Sequence, residues 1–474
     1  MVFLGEIVTK KAQITLKLGT VIAACLLLGI LVGLPTAHAS ADVEARLTLA
    51  IDWISGQQVS SLQYVGFARG TDAETDHTVY SSDQALIALA LSDYHTNHND
   101  AQYDNMLHAA ATFLSSARTS TGDFYEYYDM KRGSWVHLGD FDSWEVYAIA
   151  GLATSAYKIV LKDSGQRAYW LSIESRLKNT VNVFLQHQRS DGAWVFQTRP
   201  GYYEAPTREN AILLTGLLYL GLFERNWGSI QQATFYGQLS QRTARWLFST
   251  QNVTAGPLFG GFPTSDLNST QTSETNGQVL LGVDTYYTII GVLLSQPSPN
   301  LYDARRVMSG WIYGYAEEMR DAYGGPFDGR TATAILQYPK TTLAAIWMLQ
   351  ALADIWINLG GDEFFGVSQH AYDWIVGNNE LQLDMQGAAN AAGTTGGFYT
   401  SISGGGVDKT ASTETTAAGV YGIGRAAFTH VPEFPVAEAL LLFIVLVGVL
   451  AIVERSGGRR SRKPNSHCAD EFLA

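Results

Sequence analysis

Apolar residues recur at three- and four-residue spacing along most of the chain, in runs bounded by Gly, Pro, Ser and Asp. The spacing predicts helices over 43–57, 82–97, 101–118, 142–162, 167–188, 207–225, 229–250, 274–294, 300–321, 340–358, 362–378 and 413–428. The odd-numbered helices are amphipathic. RAYWLSIESRLKNTVNVFLQHQ (167–188) sets Glu174, Arg176 and Lys178 on a polar face, as in a helix lying on a surface. The even-numbered helices are apolar nearly all round, as in ENAILLTGLLYLGLF, GQVLLGVDTYYTIIGVLL and TTLAAIWMLQALADIW. Such a helix is buried between others, and its Gly and Ala let backbones approach closely.

A Gly-plus-aromatic turn tends to follow each odd helix: TGDFYEYYD (121–129), SDGAWVFQ (190–197), FGGFP (259–263), YGGPFDG (323–329) and GGFYTSI (396–402). A period of roughly 60–75 residues marks a repeated helical hairpin, which cannot bury its apolar helix alone. The fold class is therefore all-α. Six hairpins closed into a ring would set six inner helices inside six outer ones. An open solenoid is the alternative, but it would leave one face of the apolar helices wet. The pattern resembles the six-hairpin α/α toroid of many glycoside hydrolases and polysaccharide lyases; terpene-cyclase and prenyltransferase relatives use a similar toroid. The resemblance spans about residues 43–428 and is architectural, with no single family signature matching at length.

The ends differ in kind. Residues 1–39 carry Lys10, Lys11 and Lys17, an apolar run from Leu18 to Leu34, and Ala37-His38-Ala39, the layout of a secretory signal peptide. An uncleaved anchor is the other reading. Residues 436–453 are long and apolar enough for a transmembrane helix, and the basic residues of the 454–474 tail assign that tail to the cytoplasm. The body, 40–430, would then lie outside the cell, anchored at the membrane's outer face. VPEFP (431–435), the apolar run and the Arg cluster together resemble the tripartite C-terminal sorting signals of archaeal surface proteins. That resemblance implies processing by a membrane sortase; a plain anchor puts the body on the same side.

Composition narrows the function. The net charge is −13, and 23 basic against 38 acidic residues put the body near −15. Nucleic-acid and anionic-membrane binders need a basic footprint, so neither partner is expected. Cys25 and Cys468 both lie outside the body, which excludes a disulfide or a thiolate metal site there. Asn252 and Asn268 head N-x-[ST] sequons.

Candidate chemistry sits where the inner helices begin. Their starts read SSDQALIAL, DSWEVYAIAGL, TRENAILL, SETNGQVLL, PKTTLAAIW and STETTAAGV. Five carry acids: Asp83, Asp142 with Glu145, Glu209, Glu274 and Glu414; the remaining one carries Lys340. In a six-hairpin toroid all these starts face one end of the ring, so the groups would converge on a funnel. Capping competes with this reading. Asp142-Ser143-Trp144-Glu145 fits a D-x-x-E box and Ser81–Gln84 an S-x-x-Q box, and acids in a first turn also suit the helix dipole. Converging carboxylates repel and raise each other's pKa, which supplies the protonated acid and ionised base that glycoside hydrolysis needs.

Nearby aromatics, among them Trp144, Trp194, Tyr202 and Tyr203, suit stacking on sugar rings, although loop cores also need such residues. The sequence has no G-x-S-x-G elbow, H-E-x-x-H pair or cofactor-type Gly fingerprint, so no metal or cofactor is assigned. The expectation is an exported, surface-anchored glycoside hydrolase acting on an oligo- or polysaccharide. Asp142, Glu145, Glu209 and Glu274 are its catalytic candidates, with Glu145 or Glu209 as acid and Asp142 as base. Trp144, Trp194, Tyr202, Tyr203, Arg208, Lys340, Asp83 and Glu414 are its substrate-binding candidates. A polysaccharide lyase is the alternative, with Tyr202, Tyr203 or His137 as base and Arg199 or Arg208 as the uronate's cation. A non-catalytic glycan-binding or envelope protein is the third reading.

Overall fold

The computed structural model describes residues 43–70, 77–98, 102–137, 145–199, 201–295, 301–320, 322–359, 362–387, 396–403 and 406–426. All belong to one compact unit, Ser40–Thr429. The signal segment, the VPEFP motif, the apolar run 436–453 and the basic tail lie outside the described residues.

The helices are α1 (43–56), α2 (Ser81–His98), α3 (Asp104–Ser116), α4 (Glu145–Lys162), α5 (Arg167–Phe184), α6 (Thr207–Trp227), α7 (Ile230–Thr250), α8 (Ser273–Leu294), α9 (Leu301–Trp311), α10 (Thr342–Leu359), α11 (Asp362–Ile375) and α12 (Thr413–Ala426). The even-numbered helices pack in sequence, α2 on α4, α4 on α6, α6 on α8, α8 on α10 and α10 on α12; α12 then packs on α2 and closes the ring. Closure buries both flanks of every inner helix, which is why these helices are apolar all round. Small residues set the spacing. A Cβ on Gly151 of α4 would lie 2.6 Å from the Ala85 carbonyl oxygen of α2. One on Gly282 of α8 would lie 2.8 Å from that of Ala211 in α6.

The reading of the body as helical throughout needs one correction. The Gly–aromatic turns carry short antiparallel ribbons: β1 (Gln58–Ser60) with β2 (Val65–Phe67); β3 (Thr78–Tyr80) with β4 (Tyr127–Asp129) and β5 (Ser134–Val136); β6 (Phe196–Arg199) with β7 (Tyr202–Glu204); β8 (Gln271–Thr272) with β9 (Gly329–Arg330) and β10 (Ile335–Leu336); β11 (Lys340–Thr341) with β12 (Tyr399–Ser403) and β13 (Gly406–Ala411). Strands this short are hidden inside turn-like sequence. Three of them, β3, β8 and β11, lead directly into an inner helix and pair with the loop of the next hairpin, so the ribbons stitch neighbours together.

Four inner helices, α2, α6, α8 and α12, are each pinned twice at their start. The first residue's N–H donates to the loop of the next hairpin: Ser81 to the Glu126 carbonyl (2.8 Å), Thr207 to Thr264 (2.9 Å), Ser273 to Asp328 (2.8 Å) and Thr413 to Arg69 (2.9 Å). The Thr413 bond runs from the last helix to the loop after α1. Three residues further on, a side chain clasps the aromatic residue of its own hairpin's turn. Gln84 accepts the Phe67 N–H (3.0 Å) and donates to the Phe67 carbonyl (2.8 Å). Asn210 does the same for Trp194 (2.7 and 2.9 Å), and Asn276 for Phe262 (2.8 and 3.1 Å). Thr416 accepts from the Phe398 N–H (3.1 Å); on α4 Glu145, the helix's first residue, accepts from the Phe124 N–H (3.2 Å). Gln84 and Glu145 are thus turned to loop backbone, where the sequence suggested capping boxes. The two positions between the pins remain: Ser82 and Asp83, Arg208 and Glu209, Glu274 and Thr275, Glu414 and Thr415.

Candidate active site

Those intervening positions build a charged cluster at one end of the ring. Arg208, on α6, spans two neighbours: its Nε and Nη2 donate to Oε1 of Glu209 (2.9 and 2.6 Å), and its Nη1 donates to Oε1 of Glu274 on α8 (2.5 Å). Across the ring, Arg69 grips Asp83 through both carboxylate oxygens (2.9 and 2.7 Å) and lies over the Tyr80 ring, 3.6 Å from its centroid. Burial opposes the charge on both guanidinium groups. The facing carboxylates outweigh it, so Arg69 and Arg208 hold their protons more tightly than usual.

Glu414, on α12, stands between these pairs. It is half-buried and makes neither a hydrogen bond nor an ion pair with a described residue. Burial pushes its carboxyl up to about 7; Asp83 and Glu274 repel its charge, while Arg69 and Arg208 only partly offset this. Glu274 is the more water-accessible neighbour, its side chain 27% exposed against 0% for Asp83 and 6% for Glu209. Asp328, in the loop before β9, is likewise raised by burial and then by Glu274.

Tyr147 forms the inner wall of the cluster. Its hydroxyl donates to Gln278 Oε1 (3.2 Å), and its ring centroid lies 6.0 Å from the Arg208 guanidinium carbon. Burial pushes the phenol well above its ordinary value, so it stays protonated. Tyr147 and Gln278 also line a cavity within the ring, about 580 Å³ including its open mouth, to which all six inner helices contribute. Its remaining wall is mostly apolar, with Leu86, Ile212, Leu281 and Trp347.

The expected residues fall into three groups. Asp83, Arg208, Glu209, Glu274 and Glu414 meet in this cluster. Glu145 is fully buried on the Phe124 backbone, with Asp123 and His137 around its carboxylate. Trp194 is also fully buried, its indole N–H donating to Thr243 Oγ1 (2.8 Å), so it fills loop core and offers no face to a sugar. Lys340 is 1% exposed and paired with Glu380 (3.0 Å), so its charge is spent inside the protein. Tyr202 and Tyr203 are exposed on β7, and Arg199 ends β6. Asp142 and Trp144 lie outside the described residues. The sequence reading missed Arg69, Tyr147 and Gln278. Arg69 follows the first turn (VGFARG), and a search for cations beside every Gly–aromatic turn would have found it.

No family model matches the sequence, and no curated protein matches it. Solved structures do match in fold. A cellobiose 2-epimerase from Bacillus thermoamylovorans overlays at a TM-score of 0.64 and 10% identity, covering 83% of this chain and 98% of its own. A sugar epimerase from a ruminal bacterium gives 0.61 at 9% identity, with 82% and 99% covered. A GH76 α-mannanase from Bacteroides thetaiotaomicron gives 0.56 at 12% identity, with 81% and 95% covered. At these identities the likeness is one of fold: residues 43–426 form a closed α/α toroid of six helical hairpins.

Proposed function

We propose that the protein is a carbohydrate-active enzyme whose site is the acid cluster at the ring's end, and that it acts as a glycoside hydrolase. One observation carries the reading. A carboxyl raised to about 7, Glu414, stands beside the water-accessible and arginine-held carboxylate of Glu274. Hydrolysis needs that division of labour: a protonated group to give the leaving oxygen its proton, and an ionised one to activate water or attack. Glu414 takes the acid's role and Glu274 that of base or nucleophile. Arg208, fixed by Glu209, donates to Glu274 and positions it. Burial first, and then the neighbouring Asp83 gripped by Arg69, favour the proton on Glu414. Tyr147 and Gln278 present a hydroxyl and an amide to sugar hydroxyls. The names of the solved toroids, sugar epimerases and a mannanase among them, support a saccharide substrate. The signal-peptide layout of residues 1–39 and the apolar run 436–453 support work on the outer face of a membrane.

The test is incubation with a panel of oligo- and polysaccharides, reading reducing ends and sugar composition together. Hydrolysis raises reducing ends; lyase action would instead give an unsaturated uronate that absorbs in the ultraviolet. A change of sugar identity without new reducing ends would mark epimerisation and displace the hydrolase reading. No product from any sugar would leave the third reading, a glycan-binding or envelope protein, in its place.

A further inference from the structure

The six hairpins repeat, so a residue that departs from the repeat stands out. Two depart in the same hairpin. The position just before the turn aromatic is Gly66, Ala193, Gly261 and Gly397 in four hairpins, and packing leaves little room there: a Cβ on Gly261 would lie 2.1 Å from Gln271 and one on Gly397 2.7 Å from Trp53. In the fifth that position is Pro326, and in the second it is Asp123. The clasp position is Gln84, Asn210, Asn276 or Thr416 in the same four hairpins and Glu145 here. Glu145 accepts the Phe124 N–H like the others, but a carboxylate lacks the N–H donors that an amide offers the turn carbonyl. On clasping grounds alone it is a poorer choice than an amide.

The two exceptions converge. Asp123, Glu145 and His137, the last just beyond β5, each present a donor atom within 4.8 Å of the others. His137 Nε2 is 3.4 Å from Asp123 Oδ2. Two ligands on one tetrahedral ion, with bonds of about 2.0–2.1 Å, stand roughly 3.3 Å apart. Neighbouring groups fix the donors: Thr121 Oγ1 donates to the other oxygen of Asp123 (2.7 Å), and the Phe124 N–H holds Glu145. Arg118 also faces Asp123. Two buried carboxyl groups and a partly buried imidazole gathered at one point are a donor set that suits a divalent cation.

We propose that Asp123, His137 and Glu145 form a binding site for one divalent transition-metal ion. One imidazole nitrogen with two carboxylate oxygens suits Zn²⁺ better than Ca²⁺ or Mg²⁺, which prefer all-oxygen shells. The ion ties the second hairpin's turn, the end of β5 and the start of α4 to one point beside the acid cluster. It does not depend on the hydrolase reading.

The full-length protein, stripped with a chelator, is titrated with Zn²⁺ against a competing chromophoric chelator while its thermal midpoint is followed. One equivalent per chain and a rise in midpoint are expected, and Co²⁺ in its place should give visible d–d bands. The double variant D123A/E145Q installs a small residue and an amide as in the first, third and fourth hairpins, so it should fold, lose the equivalent and show no midpoint rise. His137→Gln leaves both loop positions intact and should weaken binding at least tenfold. Zn²⁺ uptake and midpoint shifts that are the same in wild type and variants, or no uptake by the wild type, would overturn the proposal.

Discussion

Arg208 joins Glu209 on its own helix to Glu274 on the next, at 2.6 and 2.5 Å. One guanidinium thereby fixes the lateral spacing of two inner-helix starts and faces a carboxylate on each. Arg208→Leu leaves two carboxylates facing each other without a cation. The Arg208 side chain is about a third exposed, so the loss should be roughly 1–3 kcal/mol and not that of a fully buried pair. Urea unfolding at pH 7 measures it. Arg208→Lys keeps the charge but not the fork, and should recover only part of the loss.

Glu414 links pH to both stability and rate. Its folded pKa, about 7, lies above the ordinary 4.5, so the folded state binds this proton more tightly than the unfolded chain does. The resulting stability is complete below about pH 4.5 and is lost as pH rises to about 7. Glu414→Gln should flatten that decline. In the same variant, turnover should fall by roughly 10²–10⁴, the usual contribution of a general acid. Wild-type turnover should decline as pH passes about 7.

The clasp predicts a purely structural effect. Asn276 accepts the Phe262 N–H and donates to the carbonyls of Phe262 and Thr272, all inside the protein. Asn276→Leu strands buried backbone groups and should destabilise by about 2–5 kcal/mol, read from the denaturation midpoint. Asn210→Leu should do likewise, because it serves Trp194 in the same way.

Between α5 and α6, Glu174 lies against Glu224, with Lys178 bridging the two and the Ser229 N–H donating to Glu224 (2.6 Å). Burial and the Glu224 charge push Glu174 up to about 8, while Glu224 is held below its ordinary value. Stability should therefore decline as pH rises from about 4.5 to 8. Glu174→Gln removes that titration. By pH 9 it should melt above the wild type, by on the order of 1–3 kcal/mol in stability.

The ring was legible because its cause is written in periodicity. Residues such as Leu213, Leu217, Leu218 and Leu220 leave α6 no wet face, and only closure satisfies that. The acid starts were legible too, since first-turn positions follow from helix boundaries. Which acid faces inward was not. Glu145 and Glu209 both fall in a first helical turn, yet Glu145 holds Phe124 and Glu209 holds Arg208. The difference comes from which side chain clasps the turn aromatic, visible only once turn and helix are seen together. Arg69 likewise joins the cluster through ring closure, from a loop 345 positions before Glu414. Trp194 and Lys340 were misread for one reason: sequence position gives the end of the ring but not the depth of a side chain.

The central claim is that saccharide binds at the ring's acid end. A crystal structure of the protein with a bound oligosaccharide from the substrate panel tests it most directly. The sugar should lie with its glycosidic oxygen within hydrogen-bonding reach of Glu414, opposite Glu274, with Tyr147 or Gln278 on its hydroxyls. A sugar held elsewhere, for example on the exposed Tyr202 and Tyr203, with the acid cluster left to solvent, would contradict it.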